Sequence, residues 1–408
     1  GGAARAAYRL HKALCDYKIH SEMLVRYKFS DEYAILSNPK KINKFLNQIR
    51  VPLADQINKT QKPADNNMRS GGWLPSNWLK EINDEKHEVV NLHWVGNETL
   101  SIKDIGNIKK PLIWTLHDMW PFCGSEHYTN DDDNARWKVG YLRSNKNSNA
   151  KGLDIDRFVW LRKKKWWNDK IHIVSPSNWL AECARDSALF KNHPVSVIPN
   201  VLDTIIYKPL DRTFCRTVLN LKANRPVILF GAMGGGKDPR KGYDLLVDAL
   251  TILSTRTKDL EPLCIIYGQS EPEEYQRLPF ETLWLGHIHD DSTLALLYNS
   301  SDVMVVPSRQ ENLPQTATEA VACGCPVVAF NCTGFPDVII HKETGYLAEP
   351  YSAEDMAQGI QWLLELGPRA FNIRNACSLR AQALWSPDVI IPKYMSLYND
   401  AIARYLSK

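Results

Sequence analysis

The chain has 408 residues, 44% of them hydrophobic and 24% charged, with 50 Lys and Arg against 46 Asp and Glu. This length asks for two or three domains, and so even a charge balance excludes a dedicated nucleic-acid binder, which would carry a strong basic excess. No apolar run reaches the ~20 residues of a membrane span, and nine scattered cysteines, most of them inside apolar runs, read as buried free thiols of a reducing compartment.

The chain opens on Gly1-Gly2 and enters a helical pattern at 3–15. A strand should precede that helix in an alternating α/β fold, so an N-terminal segment carrying one strand is expected to be missing. Strand-like runs follow at 22–27, 88–94, 111–116, 171–175 and 196–199. Two stretches resist the alternation. Residues 55–77 read as a long loop, and 123–156 are polar and Gly/Asn-rich; loops of this length tend to be functional lids or disordered. Trp73, Trp78, Trp120 and Trp137 fall in loop-like stretches, where they either face sugars and partners or plug small cores. Residues 157–167, R-F-V-W-L-R-K-K-K-W-W, interleave five cations with aromatics. That composition suits an anionic membrane surface, or else a solvated helix face with a few core aromatics.

In the second half, strands are expected at 226–231, 263–268, 282–285, 302–307 and 326–330, with helices at 243–254, 292–299 and 353–366. Continuous runs such as V-I-L-F, V-M-V-V and V-V-A-F fit strands buried on both faces of a parallel sheet. The alternation predicts an α/β architecture of mainly parallel sheets joined by right-handed crossovers. A polar, Pro-bounded stretch at 202–225 marks the break. The expected division is 1–205, 206–387, and a C-terminal helix, 388–408, that packs back on the first domain.

The sharpest motif is P-S-R-Q-E-N-L-P-Q-T-A-T-E-A at 307–320, directly after a buried strand. In open α/β sheets ligands bind at that end. Asn312 is expected to cap the next helix, with Gln315 at its third position completing a capping box. The helix start then offers free amides and a positive dipole end to a diphosphate. Glu311 and Glu319 could accept hydrogen bonds from sugar and ribose hydroxyls, or be respectively a dipole partner and a solvated helix residue. A second motif, L-F-G-A-M-G-G-G-K-D-P-R-K-G-Y, again lies between strand and helix. Its glycines, Gly234 and Gly235 among them, allow close backbone approach. Lys237, Arg240 and Lys241 add cations of the kind that anion-binding loops use, or that sit solvated in a Gly-rich turn. A third, P-L-I-W-T-L-H-D-M-W-P-F, ends a strand on His117 and Asp118, and His93 ends another. All could face one cleft together with the Gly1-Gly2 turn.

With these residues in view, the sequence resembles the family 4 retaining glycosyltransferases of GT-B fold over nearly its whole length. Glu311 and Glu319 match the family's E-x7-E motif. V-I-P-N-V-L-D at 197–203, L-G-H-I at 285–288 and G-F-P-D-V-I-I-H-K-E-T-G-Y-L-A at 334–348 add to the likeness. H-D-M-W-P-F and G-G-A-A-R-A-A resemble a bacterial exopolysaccharide, capsule and O-antigen subgroup. The resemblance implies two Rossmann-like domains facing across a cleft. It implies that Glu311 touches the donor sugar, Glu319 the ribose and Lys241 the diphosphate. The amides of Asn312, Leu313 and Gln315 would lie near phosphate and sugar, Gly286 and Ile288 by the base, and His117 by the transferred sugar. Gly1-Gly2 would lie below the phosphate or acceptor. One departure stands out. Where the family has an Arg after the first glycine, this chain reads G-A-M-G-G-G-K, and Lys237 or Arg240 would substitute.

The implied reaction is transfer from a UDP- or GDP-linked sugar to a glycan or lipid-linked acceptor. No metal is expected, because fixed cations can take the leaving-group charge. Cytoplasmic work at the inner face of the plasma membrane, attached through 157–167, would fit a lipid-linked acceptor. The rivals are a non-catalytic nucleotide-sugar-binding partner of an assembly complex, and an epimerase or phosphorylase of the same fold.

Overall fold

The structure is a computed structural model. It describes residues 1–28, 31–37, 41–63, 65, 67–84, 86–167, 171–231, 238–257, 260–271 and 277–407, with the side chains of 41–48 and 368 set aside. Two compact units emerge. One holds Ala3–Ile198 with Ile391–Lys408, the other Pro199–Ile390 with Gly1–Gly2.

The first unit is built on four parallel strands in the order β1 (Val90–Leu92), β2 (Leu112–Thr115), β3 (Ile171–Ser175), β4 (Val195–Val197). Every residue of β2 and β3 is buried, as their unbroken apolar runs require. Helix α1 (Gly2–Asp16) buries Ala6, Ala7, Leu10, Ala13 and Leu14, one face of a 3.6-residue period. Helix α2 (Ile155–Trp166) starts on Asp154 and α3 (Asn178–Asp186) on Ser177. Each of those side chains accepts an amide of the first turn.

The strand expected at 22–27 shrinks to Met23–Leu24, which pairs only with Ile35–Leu36, apart from the main sheet. The loop expected at 55–77 begins inside a helix, Lys41–Asn58, and Gln61–Lys62 then pairs antiparallel with Lys151–Gly152. The other long stretch is not all lid: Cys123, Ser125, Glu126 and His127 are buried.

The second unit carries six parallel strands: β5 (Val227–Gly231), β6 (Leu263–Tyr267), β7 (Thr282–Trp284), β8 (Val303–Val306), β9 (Val327–Phe330) and β10 (Gly345–Ala348). Their spatial order is β7-β6-β5-β8-β9-β10, so the chain reverses direction across the sheet between β5 and β8. Strand β10 is an edge that hydrophobic pattern alone did not mark, since G-Y-L-A is short and opens on glycine. Helices α4 (Tyr243–Arg256), α5 (Asp291–Ser300), α6 (Gln315–Ala322) and α7 (Ala353–Leu364) belong to this unit. Leu246, Leu250 and Leu253 of α4 join Ile228, Ile265 and Val305 in one core. Each such side chain contributes about 1.5–3 kcal/mol on burial.

The last helix, α8 (Pro387–Leu406), belongs to the first unit from Ile391 onward. There Tyr394 and Tyr398 hydroxyls meet Thr115 Oγ1 at 3.3 Å and Asn91 Nδ2 at 3.0 Å.

Candidate functional site

A doubly wound sheet opens a crevice at the carboxyl ends of the two strands that flank its reversal. Here those strands are β5 and β8. Strand β5 runs into 232–237, so Gly234, Gly235 and Lys237 lie outside the described residues. The chain returns at Asp238, whose carboxylate accepts the Arg240 amide at 3.0 Å and opens a single 3-10 turn, Pro239–Lys241. Gly242 closes that turn with φ +67°, and a Cβ there would lie 2.0 Å from the Pro307 carbonyl oxygen. Only glycine lets the loop after β5 lie directly on the loop after β8.

Arg309 fastens the two loops. Its amide donates to the Arg240 carbonyl at 2.8 Å. Its guanidinium spans both Asp244 oxygens at 2.8 and 2.5 Å and reaches the Pro239 carbonyl at 2.7 Å. Arg240 returns a bond to the Gln310 carbonyl at 3.2 Å. Between these clamps, Lys241 Nζ lies 2.5 Å from Glu311 Oε1. The lysine side chain remains 23% exposed, so the pair is only partly buried.

Burial alone would raise the Glu311 pKa. The charges of Lys241 and Arg240, with hydrogen bonds from Lys241 and Ser308, outweigh it and hold the carboxyl below its usual range. The segment after β9 supports the same turn: Gly334 N–H donates to the Glu311 carbonyl at 3.0 Å, and the Glu311 amide donates to Thr333 Oγ1 at 3.3 Å.

The expected capping box does not form. The residue before α6 is Pro314, extended at φ −67° and ψ 119°, with no side-chain cap. Gln315 is therefore the first helical residue rather than the third, because the helix starts immediately after the proline. Asn312 and Leu313 are buried in the turn ahead of it. The Ala317 and Thr318 amides both reach the Pro314 carbonyl at 3.1 Å. The positive end of α6 thus lies next to the Glu311 turn with no side-chain carboxylate capping it.

Glu319 is 1% exposed and accepts the Tyr298 hydroxyl on Oε2 at 2.9 Å, which removes the solvated-residue reading. Gly286 follows β7 with φ +62°, its carbonyl taking the Gly268 amide at 2.7 Å. Ile288 packs half-buried on the core.

In the first unit, His93 and His117 end β1 and β2 and meet each other: Nδ1 of one lies 2.9 Å from Nε2 of the other, with the rings stacked. Burial lowers both pKa values, His93 well below the ordinary value and His117 to about 4, although Asp118 pulls the latter upward. Both imidazoles are neutral at pH 7. Asp118 is engaged otherwise, accepting from Trp94 Nε1 at 2.8 Å, from the Trp120 amide at 3.0 Å, and pairing with His127 Nδ1 at 2.6 Å. Gly1 is exposed, and Gly2 opens α1.

The four loop tryptophans resolve toward the core: Trp78, Trp120 and Trp137 are buried, and Trp73 carries the Arg162 guanidinium at 4.6 Å from its ring centre. The cation run at 157–167 does not form a solvated stripe. Lys163 is fully buried, donating to the Trp120 carbonyl, to Cys123 O at 3.1 Å and to Gly124 O at 2.7 Å, while Arg162 binds the Gly71 and Gly72 carbonyls. The membrane expectation therefore loses two of its cations to the protein's own backbone. Among the described residues no helix is long and apolar enough to cross a membrane, and no group of three or more His, Cys, Asp or Glu is placed to hold a metal ion.

Sequence reading missed Arg309, Asp244, Thr333 and Tyr298. Arg309 sits inside the quoted motif and could have been suspected from its charge beside Glu311. Tyr298 looks like any apolar position of an amphipathic helix.

Comparison with known proteins fits this geometry. Residues 211–382 match the family model for glycosyl transferases group 1. The D-inositol 3-phosphate glycosyltransferase of Acidothermus cellulolyticus is 30% identical over 223 residues, 51% of this chain and 48% of that protein. The chain spans about half the length of the curated relatives it matches, or less. Sucrose-phosphate synthase from Thermosynechococcus elongatus superposes with a TM-score of 0.67 at 19% identity, covering 99% of this chain and 94% of that one. Anabaena HepE, solved with UDP and glucose, gives 0.62 at 15% identity, with 97% and 96% covered. The segment that carries Lys241, Glu311 and Glu319 matches the group 1 glycosyl transferase model, and the chain shares the GT-B fold of its structural neighbours.

Proposed function

We propose that the protein is a retaining glycosyltransferase. It moves a sugar from a UDP- or GDP-linked donor to a glycan or lipid-linked acceptor in polysaccharide assembly, at the cytoplasmic side of the membrane, without a divalent metal. The observation that carries this reading is the Lys241–Glu311 pair at the β5/β8 reversal, beside the uncapped start of α6.

Breaking the anomeric C–O bond leaves negative charge on the departing diphosphate. The Lys241 ammonium, drawn from Glu311 by the incoming diphosphate, stabilises that charge together with the neighbouring Arg240 and the start of α6. Glu311 cannot serve the phosphate, which it repels; its carboxylate accepts hydroxyl protons of the donor sugar. Glu319 accepts the ribose diol, and Gly286 and Ile288 flank the base. In retention the acceptor attacks from the face that the diphosphate leaves. The UDP complexes of HepE make UDP-sugars the first donors to test.

The experiment is a thermal-shift screen of UDP- and GDP-sugars, since a ligand of the native state raises its apparent stability. Turnover with an acceptor panel and the anomeric configuration of the product by NMR follow. The expected result is transfer with retention, abolished by Glu311→Ala while nucleotide binding persists. A wild type that binds donor but transfers to no acceptor would replace the enzyme with a binding partner of an assembly complex. An inverted product would remove retention, and a rearranged sugar without transfer would favour the epimerase reading.

A further inference from the structure

Glu319 lies at the end of a buried chain of hydroxyls that begins at β6. Tyr267 closes β6 in register with Gly231 of β5. A Cβ on Gly231 would come within 2.0 Å of the Tyr267 ring, so glycine is what lets the ring lie across the carboxyl end of the neighbouring strand. From there the Tyr267 hydroxyl is 2.6 Å from the Tyr298 hydroxyl of α5, and Tyr298 in turn is 2.9 Å from Glu319 Oε2 of α6. All three side chains are buried, at 6%, 0% and 1% exposure.

The direction of the chain follows from proton count. A phenol has one proton, and Glu319 as a carboxylate only accepts. Burial, with the Glu319 charge next, pushes the Tyr298 pKa well above its ordinary value, so the hydroxyl keeps its proton and gives it to Glu319. The 2.6 Å contact is then a bond from Tyr267 to the Tyr298 oxygen. Such a chain polarises along its length. It fixes the carboxylate plane at one oxygen, Oε2.

We propose that Tyr298, backed by Tyr267, is a positioning residue that orients Glu319 to discriminate ribose from deoxyribose in the nucleotide. This rests on the glycosyltransferase reading of the site, and it adds a specificity-determining pair from outside the motif.

The test is calorimetry with UDP and GDP against their 2′-deoxy and 3′-deoxy counterparts. Wild type prefers the ribonucleotide. Tyr298→Phe loses about tenfold of that preference, the size expected for one hydrogen bond to a charged group, while its affinity for the deoxynucleotides stays the same. A merely structural role would weaken both sets together, so equal weakening overturns the proposal, as does an unchanged preference. Tyr267→Phe, one hydroxyl further away, guards against misfolding of the first variant and shows a smaller loss in the same sense; an unchanged preference there also counts against the relay. If the wild type itself binds ribo- and deoxynucleotides equally, the relay and the ribose role of Glu319 fall together, whereas absence of any nucleotide binding strikes the glycosyltransferase reading itself.

Discussion

Lys163 and Lys241 both stand in cation-rich stretches, and their surroundings are opposite. Lys163 is fully buried under Trp120, 3.9 Å from the ring centre, with three backbone carbonyls around its ammonium. Burial brings its pKa down to about 7. Lys241 has a carboxylate beside it and keeps 23% of its side chain exposed. Lys163 joins three buried backbone carbonyls of one turn, so the lysine is part of the fold. Lys241 has a partner that an incoming anion can replace, so its charge can be used twice, once in the resting protein and once on a ligand.

The comparison breaks most sharply by removing the switch-point charge. Lys241→Met is expected to lower turnover by about 10²–10³-fold, the usual cost of one donor to a developing oxyanion, with the thermal midpoint nearly unchanged. Steady-state kinetics beside circular dichroism would read both quantities. Turnover close to wild type would mean that the diphosphate charge is met elsewhere.

Lys163→Met should do the reverse. Three buried carbonyls lose their donor, which costs about 3 kcal/mol and lowers the midpoint by roughly 6–12 °C in a unit of this size. Nucleotide binding by the other unit should persist. If the midpoint hardly moves, the ammonium is not what holds the Trp120–Gly124 turn.

A smaller effect separates the two units by pH. His93 and His117 are lowered by burial, and His172 is brought to about 4 by burial and by Arg404. The unfolded chain takes up protons on these groups below about 6.5, whereas in the folded unit His117 and His172 resist until about 4 and burial holds His93 well below its ordinary value. The stability these histidines hold above pH 6.5 is therefore lost as pH falls through that window, offset in part by Glu126, whose carboxyl burial raises to about 8 and which stabilises the folded unit as it takes up its proton. Thermal scans of the whole chain should show the first unit's transition moving down between pH 6.5 and 4. In the His93→Asn, His117→Asn double variant the slope should shrink to what His172 and His11 contribute against the opposing Glu126. A slope that the double variant leaves intact would assign the acid sensitivity to other groups.

How far these features could be read in advance follows the same division. Apolar runs placed nine of the ten main-sheet strands; six of those nine are buried at every residue, and strands of that kind need no partner pattern to be recognised. Strand β10 escaped, being four residues long and starting on glycine. The Glu311, Glu319 and Lys241 positions were legible because strand, turn and helix start follow one another closely in sequence. What was not legible depends on long-range contact. Lys163 and Lys165 are both lysines in one run, and only the tertiary fold buries the first and exposes the second. The cap of α6 failed for a local reason, since Pro314 moved the helix start past Asn312. Tyr298 gave no signal at all: in sequence it is an aromatic at a helix's buried position, and its partner lies 21 residues away.

The smallest expected effect bears on the claim that Lys241 has a replaceable partner. Glu311 is charged at neutral pH, because Lys241 and Arg240 outweigh its burial. A nucleoside diphosphate must draw the ammonium away from that carboxylate and bear its repulsion at short range. Glu311→Gln keeps the shape and removes both costs. Binding of UDP or GDP should then tighten by about 1 kcal/mol, or roughly fivefold, a typical strength for a partly exposed pair. Donor turnover should fall in the same variant, since the amide accepts a sugar hydroxyl less strongly than the carboxylate. Calorimetry at two salt concentrations would also show the gain shrinking as salt rises, because screening weakens the pair that the mutation removes. Tighter nucleotide binding together with lost turnover is a combination that a damaged site cannot produce. Weaker binding on Glu311→Gln would instead mean that the ion pair assembles the anion site rather than competing for it, and Lys241 would then resemble Lys163 more closely than the geometry suggests.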